Sequence, residues 1–293
     1  MLYALIRGEN APRQPAACRA LGVDRRSYLA SLAKKEPERL DDVKLVDLIH
    51  EISAMPRYGY RRVTHELRRR NVLANHKRVL RIMRAEGLVC MRKVSKHRTT
   101  YSNHGFRKYP NLVKDLHVTG LNHVWVADIT YIQVLHEFFY LAAILDLFSR
   151  KCVGWSLSRT LETEHALRAL EMALATRRSL GFVGLIHHSD RGVQYASDEY
   201  VKKLMENGIL VSMTESGDPR ENAFAESFNK TLKYEEVYLT EYESFDDALK
   251  NIGQFIKEVY NKKRLHSSIG YMPPDEYEDK ILRVGVAILP MQK

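Results

Sequence analysis

Cysteine is scarce in this chain: Cys18, Cys90 and Cys152 are the whole supply in 293 residues. They are far apart, odd in number and without CxxC spacing, which argues against a disulfide framework or a cysteine-based zinc site and for free or buried thiols in a reducing cytoplasm. Long apolar runs are missing too. The longest, FFYLAAILDLF at 138–148, is interrupted by Asp146, so no membrane-spanning helix is expected. Nor does a charged stretch followed by an apolar one open the sequence, so no secretory signal is expected.

Acidic residues are scarce in one part only. Residues 1–110 hold 25 Lys and Arg against 10 Asp and Glu, whereas residues 111–293 hold 21 against 26. A basic front suits a binder of phosphate backbones, and an acidic back is tolerable where some of the acids hold metal. Within the front, residues 1–39 read as a helical segment whose stretch 15–32 has the spacing of the end of a helix-turn-helix, turning at Gly22 and capped by Asp24. Residues 40–90 read as a helical DNA-binding domain. Val43, Leu45, Leu48, Ile49 and Ile52 mark its first helix, and a second starts at Val63 to Leu67. The last, NHKRVLRIMRAEGL at 75–88, has Asn75 as N-cap and Gly87 as stop. On it Val79, Ile82 and Met83 share an inward face, while Lys77, Arg81 and Arg84 share an outward one; with Arg78 these are the candidate DNA contacts. Residues 91–120 read as a basic linker with interleaved aromatics.

From 121 the periodicity changes from helical to alternating. WVADITYIQV (125–134), FFYLAAILDLFS (138–149) and KCVGWSLSRT (151–160) are close enough in sequence to form an antiparallel meander. A helix starting near Glu162, the strand GLIHHSD (184–190), a helix near 197–207 and the strand ILVSMT (209–214) follow. Together these describe a mixed sheet covered by helices. The next helix lies in 222–234, with Ala223, Phe224, Phe228 and Leu232 at helical spacing, and a long amphipathic helix runs from about Phe245 to Tyr260. Residues 121–278 make one α/β domain, and 279–293 form a tail.

Three acids in that domain stand out. Asp128 sits mid-strand, where a carboxylate is a poor β-former and costly to bury alone. Asp190 ends its strand against Arg191-Gly192, and Glu226 rides the helix after a turn-rich loop, with thirty-five residues between the two carboxylates. Two strand carboxylates and one helix carboxylate can converge on a pair of divalent cations, which points to metal-assisted chemistry on a phosphodiester.

RYGYRRVTHELRRRNVLANHKRVLRIMRAEGL (57–88), WVADITYI (125–132), HSDRGVQYAS (188–197), SMTESGDPRENAFAESFNKTLKYE (212–235) and YNKKRLHSSIGYMPPDEYE (260–278) carry a family likeness. Residues 40–277 resemble the transposases of bacterial insertion sequences whose catalytic domain is similar to retroviral integrase, of the kind encoded by the downstream frame of a two-frame element. The resemblance implies a ribonuclease-H-like fold preceded by an all-α helix-turn-helix region. It implies Asp128, Asp190 and Glu226 as catalytic triad and metal ligands, Mg²⁺ as cofactor with Mn²⁺ able to substitute, and no zinc module. Lys233, two helical turns beyond Glu226, is similar to the family's residue that contacts terminal DNA, and Arg264 and His266, which match its C-terminal YN..R.H motif, are implied as DNA-binding residues suited to phosphate contact. Implied partners are the element's terminal inverted repeats and target DNA, further copies of the chain in at least a dimer on DNA, and the upstream-frame DNA-binding product. The implied location is the bacterial cytoplasm, associated with the nucleoid. Glu221 departs from the pattern, since the family usually has Asp there. Two alternatives stay open: a catalytically inactive DNA-binding regulator and a ribonuclease-H-like nuclease.

Overall fold

The computed structural model describes residues 42–54, 58–88, 107–134, 137–215 and 222–284. The expectations for 1–39, for most of the 91–120 linker, for Cys18, Cys90 and Glu221, and for the last nine residues of the tail lie outside them. The chain divides into two compact units, one of residues 1–53 and 58–89 and one of residues 54–57 and 90–293. Among the described residues no helix is long and apolar enough to cross a membrane.

The first unit is helical, with α1 (Asp42–Ser53), α2 (Tyr60–Arg69) and α3 (His76–Ala85). Its core is Leu45, Ile49 and Ile52 from α1, Val63 and Leu67 from α2, and Val79, Ile82 and Met83 from α3. Val43, expected among them, is 73% exposed because it lies in the first turn of α1, before the buried stripe is established. Asn75 caps α3 as the sequence suggests, its side chain accepting from the Lys77 N–H at 2.8 Å. At the other end Gly87 takes φ +68°, and the Leu88 N–H returns to the Met83 carbonyl at 2.8 Å, a left-handed helix stop.

The second unit is built on a five-stranded sheet ordered β3-β2-β1-β4-β5. Its strands are β1 (Val124–Val134), β2 (Glu137–Asp146), β3 (Cys152–Ser158), β4 (Ile186–Ser189) and β5 (Leu210–Met213). The expected meander is there: β1 to β2 and β2 to β3 are antiparallel, while β4 and β5 join parallel on the other side of β1. Side chains of β1 alternate between two cores. Val124, Val126, Ile132 and Val134 belong to the core that contains Ala225, Phe228 and Leu232; Trp125 and Ala127 belong to the one packed by α4 (Thr163–Arg177) and α6 (Asp198–Glu206). Between β4 and α6 stands a single helical turn, α5 (Val193–Ala196), that the sequence pattern does not announce.

α4 lies close on β3 because Gly154 has no side chain there. A Cβ on Gly154 would come within 2.2 Å of the Ala169 carbonyl oxygen, so small residues on both surfaces set the spacing. Next come α7 (Ala223–Leu232), continued by a π-helical turn at Lys233–Val237, and α8 (Phe245–Gln254), continued by another at Phe255–Tyr260. α9 (Pro274–Val284) runs through residue 279 and is pinned by a buried ion network. The Arg177 guanidinium holds the Glu278 carboxylate, one contact measuring 2.9 Å, and Lys151 reaches Asp275 at 2.8 Å.

Candidate active site

Asp128 lies on β1, on the face that receives α7, directly across from Ala143 of β2, whose small side chain leaves room above it. The parallel register fixes its neighbour. Ala127 pairs with Ser189, the last residue of β4, so Asp128, still within β1, and Asp190, just past the end of β4, stand side by side, each one position past that pair. Adjacent strands are about 4.8 Å apart, which puts two carboxylates within reach of one ligand. Asp190 is held by its own turn: its Oδ1 accepts from the Gly192 N–H at 2.9 Å, the Asx geometry expected of an aspartate before a glycine turn. A Cβ at position 192 would sit 2.9 Å from that same oxygen, so only glycine leaves the carboxylate undisturbed.

The third acid arrives on α7. Its buried stripe is Ala225, Phe228, Asn229 and Leu232, whereas Ala223 and Phe224, expected to face inward, are exposed. The spacing alone does not distinguish the two alternatives, because Ala223 and Ala225 are equally small and apolar. Glu226, adjoining that stripe in the first turn, is exposed. Two asparagines tie this helix to β1: Asn222 donates to the Ala127 carbonyl at 2.9 Å, and Asn229 donates to Asp128 Oδ2 at 2.7 Å. Neither is singled out by sequence reasoning. For Asn229 the available signal is its place one helical turn after Glu226.

Burial, then the like charge of Asp190, and also that of Glu226, push the Asp128 carboxyl from its ordinary value near 3.8 up to about 8; the Ile129 backbone and Asn229 pull the other way. Among the described residues no three His, Cys, Asp or Glu side chains are gathered closely enough to hold a metal ion as they stand. The two observations agree in sense, since three carboxylates that feel one another across a partly desolvated space repel. All-oxygen donors in a site short of positive charge fit a hard divalent cation such as Mg²⁺. Lys233, at the junction of α7 with its π-helical turn, is half-buried; burial lowers its pKa and the charge of Asp128 opposes that.

Further polar side chains are engaged in packing and hydrogen bonds. His188 Nδ1 lies 2.8 Å from the Ser212 hydroxyl, and His187 packs on Tyr200, its pKa pushed down to about 3 by burial. Gln194 donates to the Leu161 carbonyl at 2.9 Å. Arg264 is buried and grips Glu235 with two nitrogens at 2.8 and 2.9 Å, and the buried His266 ring stands edge-on to Tyr260. In the helical unit Lys77, Arg81 and Arg84 are exposed along one side of α3, and Arg78 is half-buried. Cys152 is a buried free thiol whose pKa is pushed up to about 12 by burial.

A mixed sheet in this order, with helices over both faces, one acid within β1 and another just past the end of the adjoining parallel strand β4, is a ribonuclease-H-like fold of the integrase-core class. The Integrase core domain family matches residues 119–219 and, in a second description, residues 207–274; the HTH-like domain family matches 39–96. The chain is 34% identical over 270 residues to the insertion element IS600 uncharacterized 31 kDa protein of Shigella sonnei, covering 90% of this chain and 97% of that one. It is 34% identical to the transposase for insertion sequence element IS904 of Lactococcus lactis, over 84% of this chain and 96% of the relative. It is also 35% identical to transposase InsF of IS3A from Escherichia coli, over 77% and 78%. The chain belongs to the insertion-element transposase family, and its role is that of a transposase or integrase.

Proposed function

We propose that this chain binds the ends of an insertion element and catalyses metal-dependent cleavage and strand transfer of DNA, with Asp128, Asp190 and Glu226 as the catalytic carboxylates. The observation that carries the reading is the juxtaposition of Asp128, within β1, and Asp190, just past the end of the parallel strand β4, with Asp128 raised to about 8 by burial and its acidic neighbours. A carboxyl raised by burial and neighbouring acids is stabilised in its charged form by a nearby cation. Mg²⁺, with Mn²⁺ as a substitute, would be held by these three acids and would supply Lewis acidity and a lowered pKa for an attacking water or DNA 3′-hydroxyl.

The residues around them prepare that ligand set. Asn229 fixes one oxygen of Asp128, and the Gly192 N–H fixes one oxygen of Asp190, so each carboxylate is held in a set orientation. Lys233, close enough to feel Asp128, is suited to holding a phosphate beside the reacting one. On the helical unit Lys77, Arg81 and Arg84 offer a row of cations to DNA phosphates, and Arg78 flanks them. Arg264 and His266 enter this reading as residues that pin the chain after the second π-helical turn, through Glu235 and Tyr260. Because two element ends must be held together, the active form on DNA is at least a dimer, with the upstream-frame product as a further partner.

The test is incubation with labelled DNA carrying the element's ends and Mg²⁺, with products resolved by size. Joined strands are expected from the wild type and not from D190N, which still binds DNA. Joining by D128N and E226Q at the wild-type rate would sink the assignment of the three acids; cuts without joining would reassign the chain to the nucleases.

A further inference from the structure

A cavity of about 590 Å³ lies in the second unit, behind the three acids. Val126, His188 and Phe224 line it, and each stands two residues before one of the acids Asp128, Asp190 and Glu226. On the two strands that offset keeps the same face and amounts to about 7 Å. The cavity therefore opens one side-chain row back from the site proposed for chemistry.

Arg150 also lines it, and three features of Arg150 are unusual together. Its backbone, in the hairpin between β2 and β3, is left-handed at φ +68°, a conformation in which glycine or asparagine is at ease and arginine is not. Its Nε and Nη1 are shielded from solvent and have no hydrogen-bond partner. Its guanidinium is stacked at 3.8 Å on the Phe224 ring, which is itself 46% exposed. Shielded guanidinium donors without acceptors are costly, and the acceptors that match them best are the oxygens of a phosphate or carboxylate.

We propose that this cavity is a phosphodiester subsite, in which Arg150 holds a DNA backbone phosphate next to the reacting one and Phe224 keeps the guanidinium plane in place. The inference rests on the proposed transposase reading, and it adds a DNA-contacting residue from a hairpin that carries none of the three acids. With the Phe224 ring stacked on one face of the guanidinium, the donors at its edge pair with phosphate oxygens.

The experiment is binding of the full chain to fluorescent duplex DNA without divalent metal, by anisotropy over a range of salt concentrations. Each phosphate neutralised contributes about 0.9 to the slope of log affinity against log salt. R150M should lose about that much slope and bind several-fold more weakly at low salt, while R150K keeps the slope. F224A should keep the slope and lose affinity, a pattern that a merely structural role for Arg150 does not produce. Thermal melts of each variant identify any that fail to fold, and R150K carries the test if R150M is among them: with its charge retained but the planar fork gone, it should bind more weakly at unchanged slope. Unchanged slope and affinity in R150M, or unchanged affinity in a folded R150K, with joining intact, overturns the subsite and leaves the transposase reading standing. Neither binding nor joining by the wild type overturns both. Inorganic phosphate is the second arm: if it raises the melting temperature of wild type but not of R150M while DNA slopes stay equal, the cavity is a site for a free anion and not for DNA.

Discussion

Asp146 and Asp128 lie on neighbouring strands of one sheet, and burial pushes both carboxyls upward. Their surroundings differ in sign. Asp146 is wholly buried and accepts from the backbone N–H groups of Asn122, Phe148 and Ser149 at 2.8 to 3.0 Å, with the Arg177 guanidinium 3.9 Å away and bound in turn to Glu278. Asp128 is half-buried, has the Asn229 amide at 2.7 Å, and faces two more acids. One cluster of acids brings its own cations; the other leaves its charge for something that arrives later. The same residue type thus serves architecture in one strand and, on the proposed reading, chemistry in the next.

The sharpest way to break this comparison is to make the same substitution in both places. D146N should destabilise the fold by about 1–3 kcal/mol, because an amide cannot accept from both sets of N–H groups that the carboxylate satisfies. D128N should abolish joining, yet raise the melting temperature of the metal-free protein by a few degrees above pH 8. The direction follows from the raised pKa. A carboxyl lifted from 3.8 to about 8 on folding stabilises the native state fully below its unfolded value, and that contribution is lost as pH rises through 8. Below about pH 4 the melting temperatures of D128N and wild type should therefore converge. Melts across this pH range check both substitutions; a D128N protein less stable than wild type at high pH would show that the Asp128 charge is already compensated.

A second test attacks the compensated cluster. R177M removes the cation shared by Asp146 and Glu278, and should cost about 3–5 kcal/mol in urea unfolding, since both carboxylates stay buried without it. Burial alone would raise Glu278, but the hydrogen bonds and charge of Arg177, with Lys151 and Ser149, hold it below its usual value. Its contribution to stability is therefore present above the unfolded value and is lost as pH falls through the folded one. In R177M that acid-side loss should shrink.

Much of this arrangement is legible in the residues themselves. Alternation marks β1 to β3, the β-branched runs end where Asp190 begins its turn, and Asn75 and Gly87 bracket α3, because each is a local preference that the fold obeys. What stays hidden depends on partners distant in sequence. Arg264 in an exposed-looking basic motif reads as a phosphate contact, and only the fold brings Glu235 beneath it, twenty-nine residues back. Arg177 and Glu278 are likewise 101 residues apart. The inward turn of Ala225 in place of Ala223, the single turn of α5 and the two π-helical turns follow from packing, on which an apolar period of three or four residues is silent. Asn229 is hidden for the same reason: an asparagine inside a helix gains meaning only from what it touches.

Asn229 offers the finest test of the contrast. It is a positioning residue, acting on Asp128 through one hydrogen bond, and substitution of such outer partners of metal-binding carboxylates typically costs about 10–100-fold in metal affinity or activity. N229A should fall in that range with little change in fold stability, since its amide is the only group lost and the Ala225, Phe228 and Leu232 stripe is untouched. A second readout separates positioning from packing. The Asn229 amide favours the charged form of Asp128, so its removal raises that carboxyl further, and the pH at which Mg²⁺ begins to bind should move upward together with proton release. Calorimetric Mg²⁺ titrations at several pH values would show the shift. An N229A protein with weakened joining but an unmoved pH profile would place Asn229 with the packed residues of α7, and would make Asp128 more like Asp146 than the present contrast allows.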